Sequence, residues 1–149
     1  MKIRAMFRGN IALNEKIKQI KNRLTTRYPV FVGLPAGSGN DEQGTSLVAI
    51  GAMLEFGSTE NNIPQYSFLR LPLRQNIGNI QAHFRSLSPK VSRGEITASA
   101  MFRQIGQEVA GYCKAVVPSD IVPTNTSPFT VSRIGIGVLK QAITYVLED

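Results

Sequence analysis

The sequence predicts an α+β domain: a small antiparallel or mixed β-sheet packed against about four α-helices, with a long glycine-rich loop. Three observations predict it. Apolar residues recur at helical spacing in three separate stretches, and a fourth is apolar nearly all round. Short β-branched and aromatic runs lie near both ends of the sequence, at 30–34 and 142–147. Between the first of these runs and the next helix lies PAGSGNDEQGT (35–45), which has three glycines and no large apolar side chain.

In chain order, residues 2–7 (KIRAMF) alternate loosely and read as a short strand, with Gly9-Asn10 ending it and Asn10 suited to cap a helix. Leu13, Ile17, Ile20 and Leu24 then step by four, three and four, one face of an amphipathic helix over about 11–26. Lys16, Lys18, Lys21 and Arg23 lie off that face and read as solvated. Tyr28-Pro29 breaks the helix, and Val30 to Leu34 reads as a buried strand. The 35–45 segment has too little to bury and reads as a flexible loop or an arm. Ser46 is placed to cap a helix over 47–56 that is apolar nearly all round, as suits a core or a subunit interface. Gly57 fits a left-handed stop.

A third helix is expected to open at Ser67, with Pro72 in its first turns, Leu73, Ile77, Ile80, Phe84 and Leu87 along its core stripe, and Pro89 at its end. Gly78 offers room for a close backbone approach. Ser92 and Glu95 have capping-box spacing for a fourth helix over about 95–116. Gly106, Ala110 and Cys113 form a small-residue stripe on it that favours close helix contact. Residues 117–135 hold three prolines and several apolar side chains, and read as an extended apolar loop lying on a protein surface. A helical turn at 137–140 and a strand over 142–147 close the sequence; the two apolar strands are the best candidates to pair. The whole of 1–149 reads as one domain.

The composition is globular, 42% hydrophobic and 18% charged, with 17 Lys and Arg against 10 Asp and Glu for a net charge of +7. A basic balance favours acidic partners, nucleic acid among them. Cys113 is the single cysteine, so no disulfide can form within the chain, and a lone His83 beside it cannot build a Cys/His metal site. No stretch has the length of a membrane span or the core of a signal peptide, which points to a cytoplasmic site of synthesis.

Nothing in the sequence assembles into catalysis. With one His there is a single candidate for a nucleophile's base, and it falls inside a helix. Phosphate-loop and HExxH motifs are absent, and the carboxylates are few and scattered. The chain reads as a non-enzyme without a cofactor. Two charged residues stand out by context: Glu55 in an apolar helix and Arg70 at the start of the next. A buried carboxylate needs a partner, so a Glu55–Arg70 ion pair pinning the 58–66 loop is expected. The basic stripe Arg70, Arg74 and Arg85 lacks interleaved aromatics, which argues against sequence-specific DNA recognition.

The run from Leu47 to Arg74, LVAIGAMLEFGSTENNIPQYSFLRLPLR, carries a resemblance. Glu55-Phe56-Gly57, then Ile63-Pro64, then Phe68-Leu69-Arg70 is similar to the segment shared by the tail-completion and neck (head–tail joining) proteins of tailed bacteriophages. Val30-Phe31-Val32-Gly33 resembles that family's strand before a variable loop. Gly137, Leu139 and Tyr145 fit its closing Thr-Gly-x-Leu-x-x-Ser-Ile-x-Tyr-x-Val pattern. Leu54 stands where the family often has His, Ser67 where it has Pro, Ile136 where it has Thr and Ala142 where it has Ser. The resemblance implies a non-enzymatic virion protein that forms a homo-oligomeric ring at the head–tail junction or the top of the tail. Its implied partners are other neck, connector and tail-tube proteins, with nonspecific contact to passing DNA and none to a membrane. Assembly would take place in the host cytoplasm. The alternative reading, from charge alone, is a basic nucleic-acid-binding module.

Overall fold

A computed structural model describes residues 2–61, 63–117 and 133–148. Six helices and a two-stranded antiparallel sheet make up the described chain, an α+β arrangement in which helix dominates.

The first helix, α1 (Lys2–Thr25), corrects the expected strand at 2–7: the helix runs straight through it, with Gly9 and Asn10 inside rather than at its start. Gly in a helix interior costs about 1 kcal/mol. Here Met6, Asn10 and Leu13 carry the same four-and-three step as Leu13 to Leu24, and that long period outweighs a brief alternation. The amphipathic face does not face a core. Leu13, Ile17 and Leu24 are each at least half exposed, and α1 meets the rest of the described chain mainly along α4.

Strand β1 (Val30–Gly33) pairs antiparallel with β2 (Thr144–Leu147), Val30 opposite Leu147 and Gly33 opposite Thr144. These are the two runs expected to pair, although Ala142 belongs to the preceding helix. Strand β1, expected to be buried, is only half-buried with Phe31 exposed, because among the described residues the helix Ala98–Val116 packs on one face of the sheet alone. Between β1 and α2 (Leu47–Phe56), the glycine-rich connection holds itself by local hydrogen bonds. Asp41 Oδ1 accepts from the backbone N–H groups of Gln43 and Thr45 at 3.0 and 2.7 Å, and Asn40 bridges to Ser46. Leu47, Ile50 and Leu54 of α2 are buried, while Val48 and Phe56 are exposed.

The expected third helix is two: α3 (Arg70–Gln75) and α4 (Ile77–Arg93). The break falls at Asn76, whose backbone N–H and side-chain amide both donate to the Pro72 carbonyl, at 3.0 and 2.9 Å. A side chain competing for a helical carbonyl favours such a stop. Pro89 does not end α4. Leu87 and Val91, on either side of it, are buried, and tertiary packing carries the helix past a residue that local propensity disfavours. Gly94 ends it instead, left-handed at φ 76°, its N–H reaching the carbonyls of Lys90 and Val91. The cap of α5 (Ala98–Val116) is Thr97, whose side chain accepts from the Ala100 N–H at 3.1 Å, not the Ser92/Glu95 box.

Helix α5 is the centre of the fold. It contacts both strands, α3 and α4. Gly106 makes the sheet contact possible: a Cβ there would fall 2.7 Å from the Tyr145 ring and 2.9 Å from Val30. At Gly106 the small-residue stripe thus admits the sheet, while Cys113 of the same stripe lies 3.8 Å from the Leu69 carbonyl at the start of α3. Gly78 has nothing close enough to need its bareness. Helix α6 (Arg133–Ala142) begins inside the segment expected to be an extended loop, of which 118–132 lies outside the described residues. Leu139 and Ile143 bring it into the core beside α2.

Candidate functional site

The end of α2 and the approach to α3 fold together around one buried carboxylate. The last turn of α2 delivers Glu55 inward, only 3% exposed. Its carboxylate is met by the approach to α3. Ser67 Oγ donates to Oε1 at 2.8 Å, the Leu69 N–H to Oε2 at 2.9 Å, and the Arg70 N–H to Oε1 at 3.3 Å. Arg70 Nε closes the ion pair to Oε1 at 2.7 Å. A carboxylate at the opening of a helix satisfies N–H groups that lack intrahelical partners. Burial by itself would raise the Glu55 pKa; the hydrogen bonds from Arg70, Leu69 N–H, Ser67 and Arg70 N–H outweigh it and hold the carboxyl below its ordinary value.

Arg70 bridges inside and outside. Its side chain is about half exposed against 4% for Glu55. Its guanidinium carbon stands 4.7 Å from the centroid of the Phe56 ring, a cation–π stack. Phe56 is itself 65% exposed.

Gly57 leaves α2 at φ 78°, ψ 167°. That is positive φ, as expected, but extended in ψ, a region nearly confined to glycine rather than the left-handed helical stop. A Cβ at Gly57 would also lie 3.0 Å from the Gln65 backbone nitrogen. Beyond it the loop folds back: Ser58 and Ile63 exchange backbone hydrogen bonds at 2.9 and 2.8 Å. The Tyr66 N–H then donates to the Leu54 carbonyl at 2.7 Å, and its hydroxyl to the Val116 carbonyl at 2.5 Å. The loop is therefore tied to the ends of both α2 and α5.

The named residues divide between this unit and its surroundings. Glu55, Phe56, Gly57, Ile63, Phe68, Leu69 and Arg70 come together, and Pro64 sits exposed at the loop's return. Phe68 is fully buried and meets Leu139 at Gly51, so Leu139 backs the unit from α6. Tyr145 is elsewhere, on Gly106 of α5, and Gly137 is exposed with open space around it. The parts played by the Ser67 and Tyr66 hydroxyls are not legible in the sequence, because each depends on a partner that only the fold brings near.

Beside the unit lies an apolar groove of about 570 Å³. Val48, Phe56 and Leu73 line it together with Val32, Leu69 and Val109, and Glu55 and Arg70 contribute to its wall. Cys113, 1% exposed, also borders it. Its Sγ is 3.8 Å from the Leu69 carbonyl, and burial, with the nearby Glu55 charge, pushes the thiol up to about 11. That is the behaviour of a packing residue, not a nucleophile at neutral pH.

One further polar cluster joins α4 to α5. His83 Nδ1 and Glu108 Oε2 are 2.5 Å apart, and the Tyr112 hydroxyl donates to Glu108 Oε1 at 2.7 Å. It is partly solvated and faces no cavity described above. Among the described residues no group of three or more His, Cys, Asp or Glu is placed to share a metal ion, and no helix is long and apolar enough to cross a membrane. Comparisons of the chain with known protein families, with curated proteins and with solved structures found no match.

Proposed function

We propose that this chain is a non-enzymatic structural protein of a bacteriophage virion: a ring-forming tail-completion or neck protein at the head–tail junction. In this reading it joins the tail tube to the head connector and leaves a channel for DNA. The observation that carries the proposal is the construction of the 55–70 unit. Its acid and base are engaged with each other and with the backbone, while Phe56, Leu71 and Leu73 are left outside. A unit whose carboxylate is buried while Phe56, Leu71 and Leu73 stand outside suits a surface that another subunit covers. The open groove behind Val48 and Phe56 supplies the recess such a contact needs. Cyclic assembly requires two different faces on each subunit; the groove is one, and the outer sheet face with exposed Phe31 and Val146 is a candidate for the other.

The test is assembly. Purified chain added to tails or connectors lacking it should appear by cryo-electron microscopy as a ring at the joint. Val48→Asp and Phe56→Asp, at exposed positions, should leave the subunit folded and block the ring. A virion whose head–tail joint contains none of this polypeptide ends the proposal. Steeply salt-sensitive DNA binding by the isolated chain, without ring formation, would favour the nucleic-acid-binding alternative.

A further inference from the structure

Helix α1 holds almost all of the chain's charge imbalance. Over Lys2–Thr25 there are seven Lys and Arg and one Glu, six of the seven net positive charges of the whole sequence. The same helix has an apolar seam that the described chain leaves mostly open: Leu13 is 56% exposed, Ile17 54% and Leu24 50%, with Ile20 half-buried. Helix α4 approaches from one side, where the Arg23 guanidinium lies against Gly94.

The seam is narrow. At roughly 100° per residue, Leu13, Ile17, Ile20 and Leu24 fall within an arc of about 60°. A surface helix packing on a core or lying in a bilayer needs a broader apolar face; a strict four-and-three seam is the coiled-coil pattern. With Ile17 and Leu24 at a, and Leu13 and Ile20 at d, the sequence extends the register back to Asn10 at a, Met6 at d and Ile3 at a. A polar Asn at one a position is a device that sets register and strand number.

The flanks select the partner. Lys16 and Arg23 take g positions and Lys21 an e position. A second copy in parallel would set Lys16 against Lys21, and in antiparallel would set g against g, again Lys and Arg. Both arrangements oppose like charges. A helix with acidic e and g positions satisfies seam and flanks together. We propose that α1 is a docking helix that forms a two-stranded coiled coil with an acidic amphipathic helix of a different protein. This does not depend on the virion role proposed above.

The experiment uses the full chain and a fluorescent heptad peptide of matching length. The peptide carries Ile and Leu at a and d, one Asn at the a position facing Asn10, and Glu at every e and g; its twin carries Lys there. The Glu peptide should bind about tenfold more tightly than the Lys peptide by fluorescence anisotropy, as three flanking charge pairs imply. Leu13→Glu with Ile17→Glu should weaken binding by about tenfold or more, with circular dichroism and Tm confirming a folded chain. Lys16→Glu with Lys21→Glu should reverse the preference toward the Lys peptide. Equal binding of the two peptides, or none, overturns the proposal. So does binding dependent on Leu13 and Ile17 that appears only with phosphatidylglycerol vesicles or duplex DNA.

Discussion

Replacing Glu55 with Ala removes the acceptor for four hydrogen bonds at once, from Ser67 Oγ, Leu69 N–H, Arg70 N–H and Arg70 Nε. Removing one member of a buried ion pair costs about 3–5 kcal/mol when the other is stranded. Arg70 is half exposed and can turn to water, so the lower end applies, about 3 kcal/mol, most of it from the unsatisfied N–H groups and the vacated volume. At this chain length that is a fall in Tm of roughly 6–12 °C. Arg70→Ala leaves the carboxylate its two N–H donors and Ser67, and should cost about 1 kcal/mol. The pH dependence follows from the lowered Glu55 pKa. The ionised carboxylate's stabilisation is complete above the unfolded-state pKa near 4.3 and is lost as pH falls through the lower folded value. The stability gap between wild type and Glu55→Gln should therefore be widest near pH 7 and shrink below about pH 4. Urea unfolding followed by circular dichroism from pH 7 to 3 measures both effects. An Ala variant within about 0.5 kcal/mol of wild type, or a gap to Gln that stays flat across the range, refutes the account.

Gly57→Ala should destabilise by about 1–3 kcal/mol, read by thermal melting, because both its φ of 78° and its distance to Gln65 reject a Cβ. Gly106→Ala should lower stability by a similar 1–3 kcal/mol through overpacking, with a shift of the Tyr145 ring resonances as a local sign; an unchanged Tm would mean that the sheet moves away freely. Cys113 should resist Ellman's reagent at pH 8 in the native state and react promptly in urea, since its thiol is buried and its pKa stands near 11. His83→Ala should change stability by less than about 1 kcal/mol in equilibrium unfolding, because its pair with Glu108 is partly solvated.

The parts of the fold legible in the sequence are those in which local pattern and tertiary pairing agree. The runs at 30–34 and 142–147 supply the two paired strands, Val30–Gly33 and Thr144–Leu147. The Glu55–Arg70 contact was legible because a carboxylate in an apolar helix requires a partner and the next helix opened with one. Where the fold departs from the local pattern, apparent breaks give way to helix at two positions, and at a third a side chain supplies a break. Gly9-Asn10 interrupts no helix, since the four-and-three period continues on both sides of it. Pro89 is overridden by Leu87 and Val91 in the core. Asn76 breaks a helix by a side-chain bond to the Pro72 carbonyl that composition does not reveal. Within the site, Ser67, Tyr66 and the stacking of Arg70 on Phe56 depend on the angle at which α2 meets α3, and no periodicity encodes that angle.

The antiparallel ribbon has a consequence for birth on the ribosome. Its two members flank nearly every helix, so Val30–Gly33 emerges long before Thr144–Leu147 exists to zip against it. During that interval an apolar edge with free backbone donors and acceptors is open to strangers. Helix α5, synthesised in between and notched at Gly106 to receive both, is the natural shelter until the late strand arrives.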